Sequence, residues 1–366
     1  MTYREKTAFA AIDIGTTTIQ AQLIDPDTGK PLDSLSGLSK QRSFGADVMS
    51  RISAAQNGKL DGLFLTINNQ VEVILKTFIL KNNLAGIEKC VISGNTTMLH
   101  LFCHTDPSTM GSAPYKCVFL NERNFAGSDL SLPADHITLL PGISAFVGAD
   151  VVSGLALIDI TRKEQDAFFV DIGTNGEMAV WKNGEKRLLC CSTAAGPCFE
   201  EAEISCGLTA ADFIDAIAEM KRKSVIDETG ALADEYAQNG YPVTERNIIT
   251  QKDVRQFQLA KSALYSGIRT LCKTAKVKPA DIKTAYIAGG LGDFLNLENA
   301  AYVGLLPREI AANAIVCGNT SLKGAVQSLI DPGFLPRCRE IIASSETVEL
   351  SNDKFFAAAF AHNMYI

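Results

Sequence analysis

Two aspartates, Asp13 and Asp171, each open the phrase Asp-Ile-Gly-Thr, once near the N-terminus and once near the middle of the chain. A strand-like run precedes each copy (Thr7–Ile12, Ala167–Val170) and another follows (Thr18–Ile24, Glu177–Lys182). Each therefore reads as the turn of a β-hairpin with a carboxylate at its lip. Gly15 and Gly173 let the backbone turn with its N–H groups exposed, and the hydroxyls of Thr16, Thr17, Thr18 and Thr174 add donors that suit phosphate oxygens. An aspartate beside such a cradle would hold Mg²⁺, directly or through water. One copy alone is an ordinary glycine turn; two copies in the same context point to a duplicated scaffold.

Three further turns carry candidate chemistry. Gly94-Asn95-Thr96-Thr97 follows the short buried strand Cys90–Ser93 and reads as a helix start, able to meet an anion or simply to cap the helix. Gly148-Ala149-Asp150-Val151 opens a helix over Asp150–Ile158, so the Asp150 carboxylate lies in a first turn, where negative charge is favourable. Gly289-Gly290-Leu291-Gly292 follows the strand Thr284–Ala288 and permits close approach of a base or ribose, or serves only as a turn before a helix opened by Asp293 or Asn296.

The elements that must position these residues are legible in outline. Asp25–Lys30 is a turn, and Pro31 starts a third strand of the first meander. Ile67, Val71, Ile74, Leu75 and Phe78 recur at helical spacing over one face of that sheet. Lys182-Asn183-Gly184-Glu185 is a type I′ hairpin signal that repeats the meander in the second half. Ala194-Ala195-Gly196-Pro197 ends that sheet, and Phe199–Ser205 and Thr209–Lys221 read as helical. Thr250-Gln251-Lys252-Asp253 is a capping box for a long amphipathic helix. Residues 104–136 read as an irregular insertion.

At 366 residues, two domains are expected. A formal charge of −7 without any Lys/Arg block argues against nucleic-acid binding. The uncharged run Ile137–Ala149 is shorter than the roughly 20 residues of a spanning helix, and no signal-peptide core is apparent, so a cytoplasmic protein off the membrane is expected. The ten cysteines show no metal-binding spacing and read as buried free thiols, with Cys190, Cys191, Cys198 and Cys206 the group to watch.

This order of elements is that of the acetate and sugar kinase, heat-shock chaperone and actin superfamily. Within it the chain resembles the ATPase domain of the reductive activators of corrinoid proteins. The resemblance rests on Ala11–Thr18, Phe44–Ile52, Gly94–His100, Asp171–Glu177, Ala194–Pro197, Ala288–Gly290 and Val303–Pro307. It implies an α/β fold of two actin-like (ribonuclease H-like) lobes, residues 1–165 and 166–366, closing on MgATP. Asp13 and Asp171 would be the Mg²⁺ or water ligands. The Gly15–Thr18 and Gly173–Gly176 backbones, the latter including Thr174, Asn175 and Gly176, would hold phosphates, with Gly289 and Gly290 beside the adenosine. Asp150 or Glu177 would activate the attacking water.

The activity implied is ATP hydrolysis coupled to reduction of an inactive Co(II) corrinoid to Co(I). The partner would be a corrinoid protein or corrinoid-dependent methyltransferase. Family members usually carry an iron–sulfur module that this chain does not show, so no cluster is expected here, and a separate ferredoxin-like donor is. A homodimer, with Cys191, Cys198 or Cys206 bridging a cluster, is a weaker reading, as are a small-molecule kinase and a nucleotide-dependent binding protein.

Overall fold

The computed structural model describes residues 6–194, 198, 205–290 and 294–366. The expectations for Ala195–Pro197, for Phe199 to Ile204, and for Leu291, Gly292 and Asp293 lie outside these residues. The chain divides into two compact units, Met1–Ile160 with Thr320–Ala343, and Thr161–Asn319 with Ser344–Ile366.

In the first unit, β1 (Thr7–Ile14), β2 (Thr18–Ile24) and β3 (Pro31–Leu38) form an antiparallel meander. Beyond β1 lie β4 (Gly86–Gly94), β5 (Arg123–Ala126) and β6 (His136–Leu139), giving the order β3-β2-β1-β4-β6-β5. β4 runs parallel to β1 and to β6, and β5 closes the edge antiparallel to β6. The insertion thus supplies an edge strand, which its alternating sequence Arg123-Asn124-Phe125-Ala126 marks too briefly to be read. β1 is apolar and buried without alternation from Ala8 to Ile12, as a strand covered on both faces must be.

The helix Leu60–Lys81 buries Leu63, Ile67, Val71, Leu75 and Phe78 completely. The helical run Val48–Lys81 is long and apolar enough to cross a membrane by length and composition alone. Its buried stripe and the break at Asn57–Gly58, where Gly58 has φ +76, are those of a core helix. Two further helices, Ala149–Leu157 and Thr320–Ile330, pack on each other where a Cβ on Gly324 would stand 2.6 Å from the Ser153 Cβ.

The second unit repeats the plan. β7 (Ala167–Ile172), β8 (Gly176–Lys182) and β9 (Arg187–Thr193) form an antiparallel meander. The short hairpin β10 (Tyr241–Pro242) and β11 (Ile248–Ile249) stands apart. β12 (Thr284–Ala288) and β13 (Ala314–Gly318) continue the sheet in parallel, with β14 (Ser345–Thr347) at the far edge, in the order β13-β12-β7-β8-β9-β14. The five strands β3-β2-β1-β4-β6 and β9-β8-β7-β12-β13 are one arrangement made twice.

Helix Ala210–Arg222, capped by Thr209, and helix Gln251–Thr274, with the expected Thr250–Asp253 capping box, enclose the second core. The β8–β9 connection departs from the expected type I′ turn: Lys182 pairs with Arg187, leaving a four-residue loop in which Lys186, rather than Gly184, has positive φ. Asp166 explains the difference, since its carboxylate accepts the Asn183 N–H at 2.8 Å and pairs with Lys182 at 2.7 Å, tying the loop to the entry of β7.

Candidate functional site

The two hairpins carry Asp13 and Asp171 to equivalent places, the carboxyl ends of β1 and β7, where open parallel sheets place their ligands. In the first, Ile14 pairs with Ile19 and the Gly15 N–H donates to the Thr18 carbonyl at 3.1 Å. A Cβ on Gly15 would come 2.5 Å from that carbonyl, so the turn itself demands glycine. In the second, Ile172 pairs with Gly176 and the Gly173 N–H donates to the Asn175 carbonyl at 2.9 Å. A Cβ on Gly173 would meet nothing nearer than Asp171 Oδ1 at 3.7 Å. Glycine there leaves space in front of the loop rather than inside it.

Around Asp13 the first unit gathers further polar groups. The Asn95 side chain caps helix Thr96–Phe102 by accepting the Met98 N–H and donates to Thr16 Oγ1 at 2.9 Å. Gly148 caps the helix that carries Asp150, and a Cβ on it would meet Asn95 Cα and Thr96 N at 2.7 Å. That close approach brings the two helix starts together. Asp150 lies in the first turn, and its Oδ1 accepts the Val151 N–H at 2.8 Å.

Burial first, and then the negative charge of Asp13, raise the Asp150 carboxyl to about 7 against the effect of that hydrogen bond. The sign follows: with the folded-state value above the ordinary 3.8, folding favours the protonated acid, so its stabilisation is full below about pH 4 and lost as pH rises through 7. The urea midpoint of the ligand-free protein is expected to fall from roughly pH 5 to pH 8, and Asp150→Asn to flatten that fall. Equal slopes for the two proteins would contradict this origin.

Arg51, which sequence reasoning missed, is fully buried beneath the first loop. Its guanidinium donates to the Thr16 carbonyl, to the Gly45 carbonyl at 3.0 Å and to Gln41 Oε1 at 3.3 Å. The available signal was an arginine on the apolar side of the helix Val48–Ala54, beside Val48 and Ile52. Arg51→Met is expected to cost about 2–4 kcal/mol by stranding these buried acceptors, read as a lower urea midpoint.

In the second unit, Asp171 stands directly opposite Glu177 on β8 and beside Ala288 on β12. Directly opposite residues of an antiparallel pair share a face, so the two carboxyl groups lie on one side of the sheet. Glu177 is buried, and its counterpart across from Asp13 is Gln20. The carboxylates, hydroxyls and open glycine faces thus fit a divalent cation with phosphates. Gly289, at φ +95, carries the chain past Asp171, and a Cβ on Gly290 would meet nothing within 4 Å among the described residues. Asn296 caps the following helix, Leu297–Tyr302.

Cys90, Cys190, Cys191, Cys198, Cys206, Cys272 and Cys338 are buried, while Cys103, Cys117 and Cys317 are partly so. Burial pushes the Cys90, Cys190, Cys272 and Cys338 thiols up to about 12, which disfavours the thiolate a metal requires.

Comparison with known proteins places this geometry. Residues 9–163 match the family described as the RACo middle region, and residues 165–213 and 212–366 match the C-terminal domain of RACo, the ASKHA domain. This chain belongs to the RACo family. The corrinoid activation enzyme RamQ of Eubacterium limosum is 30% identical across 96% of this RACo chain and 69% of its own length. The [Co(II) methylated amine-specific corrinoid protein] reductase of Methanosarcina barkeri is 25% identical over 90% of the chain and 71% of its own. A solved reductive activator for corrinoid, iron-sulfur protein superposes with a TM-score of 0.89 at 26% identity, covering all of this RACo chain and 67% of the other. The actin-like α/β fold expected from the repeated hairpins is the fold of the family.

Proposed function

We propose that the protein is an ATP-hydrolysing activator that couples MgATP turnover to the reduction of a Co(II) corrinoid protein to Co(I). The observation that carries this reading is the repeated acidic hairpin: Asp13 and Asp171 end equivalent strands, each with a second carboxyl, Asp150 or Glu177, close by. The names of the relatives support a corrinoid protein as the partner class, and a corrinoid-dependent methyltransferase is the finer form of that proposal.

In this reading Asp13 and Asp171 hold Mg²⁺, which when bound offsets phosphate charge and favours departure of ADP. Gly15, Thr16, Thr17 and Thr18, with Gly173, Thr174, Asn175 and Gly176, hold the phosphates, and Gly289–Gly290 lies against the nucleoside. Asp150 accepts the proton of the attacking water, since a carboxyl near 7 is matched to that task; Glu177 is the other candidate. ATP and water give ADP and phosphate, while one electron passes from a separate ferredoxin-like donor to cobalt. Nucleotide shifts the protein's conformational equilibrium only by its differential affinity for the two states, which is what makes the coupling physical.

The test is MgATP turnover by the purified protein with and without a Co(II) corrinoid protein from the same source. Slow basal turnover that rises with the partner is expected. Binding without stimulation would overturn the activator reading.

A further inference from the structure

We infer that Ser321, which ends a buried chain of contacts through Ser153 and Ser93, is the positioning residue that holds the Asp13 carboxylate. All five groups of the chain lie in the first unit, and the three serines are at most 4% exposed. β1 and β4 set Asp13 beside Ser93 in register, and the helix Thr320–Ile330 delivers Ser321 to both. Ser321 Oγ lies 2.7 Å from Asp13 Oδ1 and 2.9 Å from Ser93 Oγ. Ser93 Oγ lies 3.2 Å from Ser153 Oγ, which lies 2.9 Å from the Asp150 carbonyl.

Counting protons decides where the Ser321 proton goes. Each serine has a single O–H to donate, whereas an ionised carboxylate and a backbone carbonyl only accept. Three protons must serve four contacts, so one contact lacks a proton. That one is Ser321 to Ser93, because Ser321 is the donor in both of its contacts and has one proton to give. Ser321 gives that proton to the ionised Asp13, in the shortest and charge-assisted bond of the set, while Ser153 donates to the Asp150 carbonyl and leaves its oxygen to accept from Ser93. This arrangement fixes the rotamer of the acid that ends β1.

The inference rests on the reading of Asp13 as a cation ligand, and the experiment separates the two. Affinity for a non-hydrolysable ATP analogue is measured by calorimetry across a Mg²⁺ series and in EDTA. Ser321→Ala is expected to raise the Mg²⁺ concentration for half-maximal binding about tenfold or more, the usual effect of losing a partner that orients a ligand. Affinity in EDTA stays within about twofold, because the lost bond acts through the cation ligand alone. Ser93→Ala leaves the midpoint within about twofold, since it removes only an acceptor that competes for the Ser321 proton. Ser321→Thr, which keeps the hydroxyl, retains the parent midpoint, and decides the matter if Ser321→Ala melts early. An unchanged midpoint in Ser321→Ala, with a raised one in Asp13→Asn, would overturn the positioning role of Ser321 while leaving the cation reading intact. An unchanged midpoint in Asp13→Asn would overturn both.

Discussion

Asp171→Asn is expected to reduce corrinoid-stimulated ATP turnover by roughly 10²-fold or more, as loss of a preorganised charge in a closed site does. The replacement is isosteric, and relief of the like charge opposite, on Glu177, leaves β7 and β8 without reason to separate. Melting is therefore expected to stay near that of the parent while Mg²⁺-dependent nucleotide binding weakens. Turnover and calorimetric binding on the same preparation make the check. Full stimulated turnover in the variant would remove Asp171 from the site.

Gly289→Ala has the next largest expected effect, and for a different reason. The residue adopts φ +95, and its added Cβ would lie 2.4 Å from the Ile172 carbonyl and 2.5 Å from Asp171 Oδ1. Backbone strain and the collision together are expected to cost on the order of 3 kcal/mol, a fall of roughly 6–12 °C in melting temperature. Because the collision displaces Asp171, nucleotide binding should fail even at temperatures where the variant is folded. Gly290→Ala is the control: its Cβ meets no described residue within 4 Å and φ is not positive, so stability should hold. Equal melting of the Gly289 variant and the parent would contradict the geometry.

The strands that carry the site were legible because they are locally encoded. The Asp-Ile-Gly-Thr phrases, the Asn95 and Thr250 caps and the apolar run of β1 each announce themselves within a few residues. Arg51 and Ser321 did not, because what they do depends on partners far away in sequence: Arg51 on Thr16, and Ser321 on Asp13 and Ser93. A buried arginine inside an amphipathic pattern looks like a mis-set polar residue until the carbonyl it meets is known. The type I′ turn failed for a similar reason, since Asn-Gly chemistry competed with Asp166, a partner outside the loop. At Gly15 and Gly173 the same letter serves two purposes, tightening one turn and clearing space at the other, and only coordinates tell them apart.

One consequence follows from the segment Thr320–Ala343, which is late in sequence and belongs to the first unit. A chain emerging from the ribosome presents β1 to β6 and the helix of Asp150 long before the helix that packs on Ser153 through Gly324 arrives. The nascent first unit must wait, with the flank of Ser153 and the end of β1 uncovered, until Thr161–Asn319 of the second unit has been made. Stopping synthesis after residue 165 should therefore yield a sticky, chaperone-bound product, and adding residues 320–343 in trans should rescue its solubility. Birth order, as much as sheet order, is written into this fold.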